Sequence, residues 1–326
     1  MKAPLALLGT LLLSVLQLSA WDIPGHMIVA KIAYDHTTPA ARKQLDALGA
    51  TLTFKTKSNQ DWVTHTFNGV NIASWADEIK HAQTPQTDYA GRYANWHYID
   101  LGLNFGQPGG DPDLIKNPPP LGIRKGNVLD GIKLCEAVLE HKTTSDLIPN
   151  EAVALALLVH LTGDIHQPLH CSANYGRHSG SHQDDGGGND VPVTNFNDPY
   201  PELHQFWDIA YKLVLKNGKW AAGTDLSTFT TTPTSPELKA EVDEVLTAKA
   251  NFTVSLQGDY FTAWALETHQ VGKEVAYGLL TKEGIDYNTG SLTVPDAYAK
   301  AAKATAQQQL YKAGMRLAAL LTKLYP

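Results

Sequence analysis

Apolar residues recur at three- and four-residue spacing through most of the chain, which is the period of a helix with one buried face. Residues 25–35 carry this pattern, and Thr38 with Pro39 then supplies an N-cap and a first-turn proline for a helix ending near Gly49. Ile72, Trp75, Ala76 and Ile79 line one helical face. Asn127 caps a helix to about His141, with Leu129, Ile132, Cys135 and Leu139 in one stripe. Asn150 caps the next, over 151–165, whose alanine, leucine and valine positions all round predict burial on every side. Pro201 opens a helix reaching about Leu215, Ser235-Pro236 start another, and further helices fit 260–280 and 296–324.

Three stretches break the period. Residues 96–100 are aromatic-rich and aperiodic, which predicts a short extended segment. Residues 106–120, with Gly109-Gly110 and Pro118-Pro119-Pro120, read as a loop. From Cys171 to Pro201 runs a long polar loop around Asp184-Asp185-Gly186-Gly187-Gly188-Asn189-Asp190, and loops of that length in compact domains are usually functional or mobile. Neither an internal repeat nor a clean linker interrupts the pattern. The expected fold is all-α, a mainly helical single domain with long loops.

Composition changes this picture little. Of 326 residues, 43% are hydrophobic and 18% charged, enough for a large core. The N-terminus changes it more: Met1-Lys2, the leucine-rich run from Leu5 to Leu18 and Ser19-Ala20 read as a secretory signal peptide cut after Ala20, with an uncleaved anchor as the alternative. The division expected is therefore 1–20 as leader and 21–326 as mature domain, secreted or periplasmic, with Trp21 first. In such a compartment Cys135 and Cys171 either pair or stay as buried thiols. The net charge of -7 argues against gripping long duplexes by a basic surface; positive field for any phosphate chemistry has to come from bound cations.

The chemistry concentrates in His160-Leu161-Thr162-Gly163-Asp164-Ile165-His166-Gln167-Pro168-Leu169-His170, echoed by His204-Gln205-Phe206-Trp207-Asp208. In each, a histidine and an aspartate stand four apart, so a helix projects both from one face. A lone histidine on an apolar face is usually a satisfied core residue, but imidazoles and carboxylates gathered in apolar helices need a shared partner. Histidine and aspartate without a cysteine pair suit a catalytic zinc.

Trp21 with His26 five residues on, Ser74-Trp75-Ala76-Asp77, Trp96-His97-Tyr98-Ile99-Asp100, the two His/Asp blocks and Gly187-Gly188-Asn189 together resemble the S1/P1 nuclease family, over the whole mature chain. The resemblance implies the phospholipase C/P1 nuclease-like helical fold and three zinc ions. Asp77, His97, His160 and Asp164 would hold one; Trp21, through its α-amine and carbonyl, His26 and bridging Asp164 a second; His170, His204 and Asp208 the third. It further implies hydrolysis of single-stranded DNA and RNA to 5′-phosphorylated products by a metal-activated hydroxide, with 3′-nucleotidase activity. Asp77, Asp164 and Lys80 would be catalytic, Lys80 by contacting phosphate, and Tyr98, Asp100 and Asn189 would form a base pocket. An α-amine with its ordinary pKa near ~8 yields its proton to a metal readily, which suits this use of Trp21.

Among the other histidines, His166 is expected to support a ligand from behind, His178 and His182 to face solvent, and His36, His65, His81, His141 and His269 to be structural or exposed. Zinc-dependent phospholipase C is the nearest rival, disfavoured by the short Trp21–His26 spacing and by aspartate at position 208. A secreted protein that uses zinc only to hold its helices together is the rival from another class.

Overall fold

The computed structural model describes residues 21–58, 61–79, 91–105, 126–177, 184–223, 234–285, 288 and 290–326. The expected leader, the 106–120 loop, Lys80, His81, His178 and His182 lie outside the described residues.

Helix α1 (Ile23–His36) starts where Asp22 accepts from the Gly25 amide at 3.1 Å, and α2 (Pro39–Gly49) where Thr38 accepts from Ala41 at 3.1 Å. A hairpin of β1 (Thr53–Ser58) and β2 (Asp61–Thr66) leads to a 3-10 turn, Asn71–Ser74, running into α3 (Trp75–Glu78). A second 3-10 turn, Ala94–His97, precedes β3 (Gly102–Leu103), α4 (Val128–Leu139) and α5 (Glu151–Asp164). Asn127 and Asn150 cap α4 and α5 as their sequence positions predict. After a 3-10 turn at Pro168–His170 come β4 (Ala173–Asn174), parallel to β3, and α6 (Leu203–Asp208). A 3-10 turn at Ala210–Lys212, the hairpin β5 (Leu213–Lys216) and β6 (Lys219–Ala222), α7 (Pro236–Thr247), α8 (Tyr260–Val271), a π-helical stretch (Gly272–Tyr277), α9 (Gly278–Lys282) and α10 (Asp296–Leu324) complete the chain.

Among the described residues the fold is mainly α-helical, with only small two-stranded sheets. α5 is its axis: every residue from Ala152 to Asp164 is buried, and α1, α4 and α10 pack against it. One hydrophobic core runs from Trp21 to Leu321. α1 and α10 come close because Gly314 gives way to Ile32; a Cβ there would stand 2.6 Å from the Ile32 side chain. Likewise Gly131 on α4 seats the Trp96 indole, 2.7 Å from where a Cβ would be, which fixes the turn carrying His97. Among the described residues no helix is long and apolar enough to cross a membrane.

Four expectations need correction. The helix from Pro201 does not reach Leu215: it spans Leu203–Asp208, because Asn217-Gly218, both at positive φ, turn the following residues into a β-hairpin. Residues 96–100 are extended only from Tyr98 onward, since Trp96 and His97 belong to a 3-10 turn. The face carrying Ile72 to Ile79 is likewise split between the 3-10 turn and α3. The helix over 260–280 is interrupted by the π-helical stretch, where Gly272 lies so tightly on Ser172 that a Cβ would meet its Oγ at 2.2 Å. Cys135 and Cys171 are free and buried, the second of the two outcomes left open. Burial pushes both thiols above the usual range.

Candidate metal centre

His160 and Asp164 leave α5 from one face at its C-terminal end, with all their atoms inside the protein. α1 brings His26 over them, its ring stacked on His160 with centroids 3.7 Å apart. α3 and the turn ending at His97 bring in Asp77 and His97. Two groups of converging ligand atoms result, His26/His160/Asp164 and Asp77/His97/His160, each with all its atoms within 4.8 Å of one another. A third, His170/His204/Asp208, forms between the 3-10 turn after α5 and α6.

Asp164 faces both of the first two groups. Its Oδ1 lies 3.2 Å from His26 Nε2, while its Oδ2 lies 3.0 Å from His97 Nδ1 and 3.4 Å from His160 Nε2. Neither oxygen receives a hydrogen bond, although Asp164 is fully buried. A buried carboxylate without donors is too costly to keep unless a cation faces it.

Backbone carbonyls settle the tautomers of three histidines. His160 Nδ1 reaches Ala73 O at 2.7 Å, His170 Nδ1 reaches His97 O at 2.6 Å, and His204 Nδ1 reaches Gly187 O at 2.8 Å. A carbonyl only accepts, so each Nδ1 carries the proton and each Nε2 of a neutral ring presents a lone pair. With both rings neutral, His170 Nε2 and His204 Nε2 face each other at 3.0 Å as two lone pairs. A divalent cation at that point is what both lone pairs fit, and the carbonyl bonds are the usual orienting partners of ligating imidazoles. Burial holds His160 neutral, pulling it down to about 4 against the opposing attraction of Asp164. Desolvation raises Asp208 well above the usual carboxylate range, though Gln167 Nε2 donates to its Oδ1 at 2.6 Å. The donor set, imidazole nitrogen and carboxylate oxygen, thus fits a metal such as zinc at all three groups.

Trp21 is fully buried beside these groups, its indole donating to Gly163 O at 3.0 Å. Gly25 and Gly163 make room: a Cβ on the first would lie 2.8 Å from Trp21 Cβ, and on the second 2.7 Å from His26 Nδ1. Tyr98 and Asp100 leave the extended chain just past His97, both half-buried, while Ile99 between them donates its amide to His170 O at 2.8 Å. Asn189 is half-buried in the glycine turn, its Nδ2 bonded to Gly186 O at 2.6 Å. That turn is ordered by geometry, not merely flexible: Gly186, Gly187 and Gly188 have φ of 60°, 63° and 88°, a left-handed run that suits glycine.

His166 does not support a ligand. Its ring turns away to accept from Arg316 Nη1 at 2.8 Å, beside Trp264, and its Nδ1 bonds Thr162 O; it belongs to the α5–α10 contact. His36, His65, His141 and His269 join none of the metal-capable groups among the described residues.

Two residues escaped the sequence reading. Gln167 orients Asp208, and its place inside the His166–His170 block was the available signal. Asp185 accepts from Asn174 N and Tyr277 Oη, each at 2.8 Å, and so anchors the turn whose Gly187 carbonyl fixes His204. Burial, above all, raises its pKa to about 7. Nothing in an Asp-Asp-Gly run distinguishes such an anchor from a solvated loop acid.

A family model described as S1/P1 Nuclease matches residues 21–326. No curated protein matches the chain.

Proposed function

The chain belongs to the S1/P1 nuclease family, and from that membership and the geometry above we propose a zinc-dependent phosphodiesterase that cuts single-stranded DNA and RNA to 5′-phosphorylated products and removes 3′-phosphates from nucleotides. The observation that carries the metal part is the His170–His204 pair, two Nε2 atoms 3.0 Å apart whose Nδ1 atoms are both committed to carbonyls. Asp77, His97, His160 and Asp164 would hold one zinc, Trp21, His26 and Asp164 a second, and His170, His204 and Asp208 the third. When bound, the ions supply Lewis acidity to the phosphate oxygens and lower the pKa of water toward ~7.

The chain's own residues set where that chemistry happens. Asp164 turns one oxygen to each of the first two groups, which favours a shared, bridging role. The carbonyls of Ala73, His97 and Gly187 take the Nδ1 side of three imidazoles, which leaves Nε2 of the neutral rings to face a metal. The carboxylates of Asp77, Asp164 and Asp208 are buried, so an anionic substrate enters only with the cations in place. Tyr98 would offer an aromatic face for one base, with Asp100 and Asn189 at its polar edge, and Lys80 would meet a non-bridging oxygen.

Use of the Trp21 amine requires export and cleavage after Ala20, so a secreted or periplasmic location is part of the same proposal. The mature protein should carry about three zinc ions by elemental analysis. Single-stranded DNA, RNA, a 3′-mononucleotide and phosphatidylcholine, each with and without chelator, form the deciding assay. Chelator-sensitive cleavage of the first three supports the reading; cleavage of the lipid without the nucleic acids would overturn it.

A further inference from the structure

Beside the metal-capable groups lies an ion pair that none of them uses, its lysine buried and its aspartate largely so. Lys212 is 2% exposed and its ammonium donates to Asp22 Oδ2. Tyr211 Oη donates to the other oxygen at 2.8 Å, and the Gly25 amide reaches that oxygen at 3.1 Å. The Asp22 amide in turn donates to Asp208 O at 3.4 Å. Asp22 follows Trp21 directly, and Lys212 comes four residues after Asp208, on the 3-10 turn that continues from α6.

We propose that Asp22, Lys212 and Tyr211 are positioning residues, a clamp that holds Trp21 and Asp208 in register so that the N-terminal and α6 sides of the metal centre form one site. This rests on the functional reading above. Capping α1 does not account for the arrangement, because a cap needs one acceptor for one amide and asparagine serves as well. Stability does not account for it either: a buried lysine is rare, and a well-packed apolar pair is often as stable as a buried ion pair. What the pair adds is direction. It fixes Asp22 immediately after Trp21, whose indole is itself pinned to Gly163 O at 3.0 Å. Trp21 is thus held through its own side chain and through the residue after it, and its backbone is the part that would meet the metal. Tyr211 also lies edge-on to the Trp21 ring, with centroids 6.3 Å apart, so the same turn touches Trp21 directly. Asp198 and Glu241 add weaker attraction for Lys212 from two further segments.

The test uses the mature protein as Lys212→Met, the double variant Asp22→Asn/Lys212→Met, and Tyr211→Phe, each verified by mass to begin at Trp21. Three quantities are read: melting temperature, zinc per chain after dialysis against graded chelator, and kcat and KM on single-stranded DNA. Lys212→Met strands the Asp22 charge, so it should melt lower, lose zinc at lower chelator and lose kcat by about 10- to 100-fold with KM little changed. The double variant removes the stranded charge while the introduced asparagine still caps α1. It should regain the melting temperature but not the zinc retention or the kcat. If zinc and kcat return together with the melting temperature, the ion pair is only structural and the clamp is overturned. If neither charge variant folds, Tyr211→Phe decides: weaker zinc retention supports the clamp, wild-type retention refutes it. A wild-type protein that holds no zinc and cuts no nucleic acid would overturn the functional reading and the clamp with it, whereas wild-type behaviour of the variants in an active, zinc-bearing protein overturns the clamp alone.

Discussion

Replacing Gly163 by alanine sets two effects of opposite sign against each other. Within a helix alanine is preferred to glycine by ~1 kcal/mol, so on propensity alone the variant should melt higher. The added Cβ, however, would lie 2.7 Å from His26 Nδ1, which is 0.7 Å inside the 3.4 Å at which ordinary contact begins. The His26 ring has little freedom to retreat, since its face is stacked on His160 at 3.7 Å. Overpacking of this kind costs about 1–3 kcal/mol, which matches or exceeds the propensity gain. If the ring does move, it leaves its 3.2 Å approach to Asp164, and metal sites tolerate only about ±0.2 Å. The expected outcome is a melting temperature unchanged or lower by a few degrees, full helical content by circular dichroism, and loss of zinc and hydrolysis. A variant that melts higher and keeps its full zinc and activity would show that His26 is not held where the site needs it.

Gly187→Ala should be more damaging to the protein as a whole, because φ is +63° and its Cβ would stand 2.5 Å from Leu169 O; left-handed strain alone costs about 1–3 kcal/mol. Melting temperature and zinc content should fall together, and an unchanged protein would refute the role given to the Gly187 carbonyl. Gln167→Leu removes the donor to Asp208 and the acceptor of the Leu169 amide. Metal affinity, measured by chelator competition, should drop about 10- to 100-fold, and wild-type affinity would remove Gln167 from the site. Asp185 has its pKa raised from the usual 3.8 to about 7, so between those values the folded state keeps a proton that the unfolded state has lost. Its contribution to stability is therefore present below about pH 4 and is lost as pH rises through 7. Asp185→Asn removes that loss, and the melting temperature of the variant relative to wild type should climb from pH 5 to pH 8; a flat or falling difference contradicts the assignment.

How much of this was legible in the sequence depends on whether the determinant is a side chain or the backbone. The caps at Thr38, Asn127, Asn150 and Ser235 and the uniform apolar content of α5 are local signals, and the helices start where they say. His160 and Asp164 could be paired because four residues on a helix fix their relation without knowledge of the rest. The short course of α6 does not show in the helical period of 201–215; the signal for it is Asn217-Gly218, whose positive φ values turn the chain into a hairpin. His166 differs in kind: periodicity says that it leaves another face of the chain, but not that Arg316, 150 residues away, waits there. The side-chain role of Asp185 depends on a similar long-range partner, Tyr277.

What the sequence could not carry at all is the set of carbonyls that point the imidazoles. Ala73, His97 and Gly187 act through main-chain oxygen, which every residue possesses, so no residue type marks them. One of the three is His97 itself, whose ring faces Asp77 and Asp164 while its carbonyl orients His170. The first two metal-capable groups and the third are therefore tied through a single residue, and a shift of the 94–97 turn would move a metal-capable ring on one side and an imidazole on the other. Side-chain replacement at His97 cannot separate these roles, because it deletes the ring and leaves the carbonyl. Gly131 can: a methyl group there would press on the Trp96 indole at 2.7 Å and displace the turn with every ligand still present. Loss of zinc in Gly131→Ala, with all the imidazoles and carboxylates intact, would establish that backbone placement and not ligand identity alone sets the affinity; retention of all the zinc would mean that the turn can shift without moving either group.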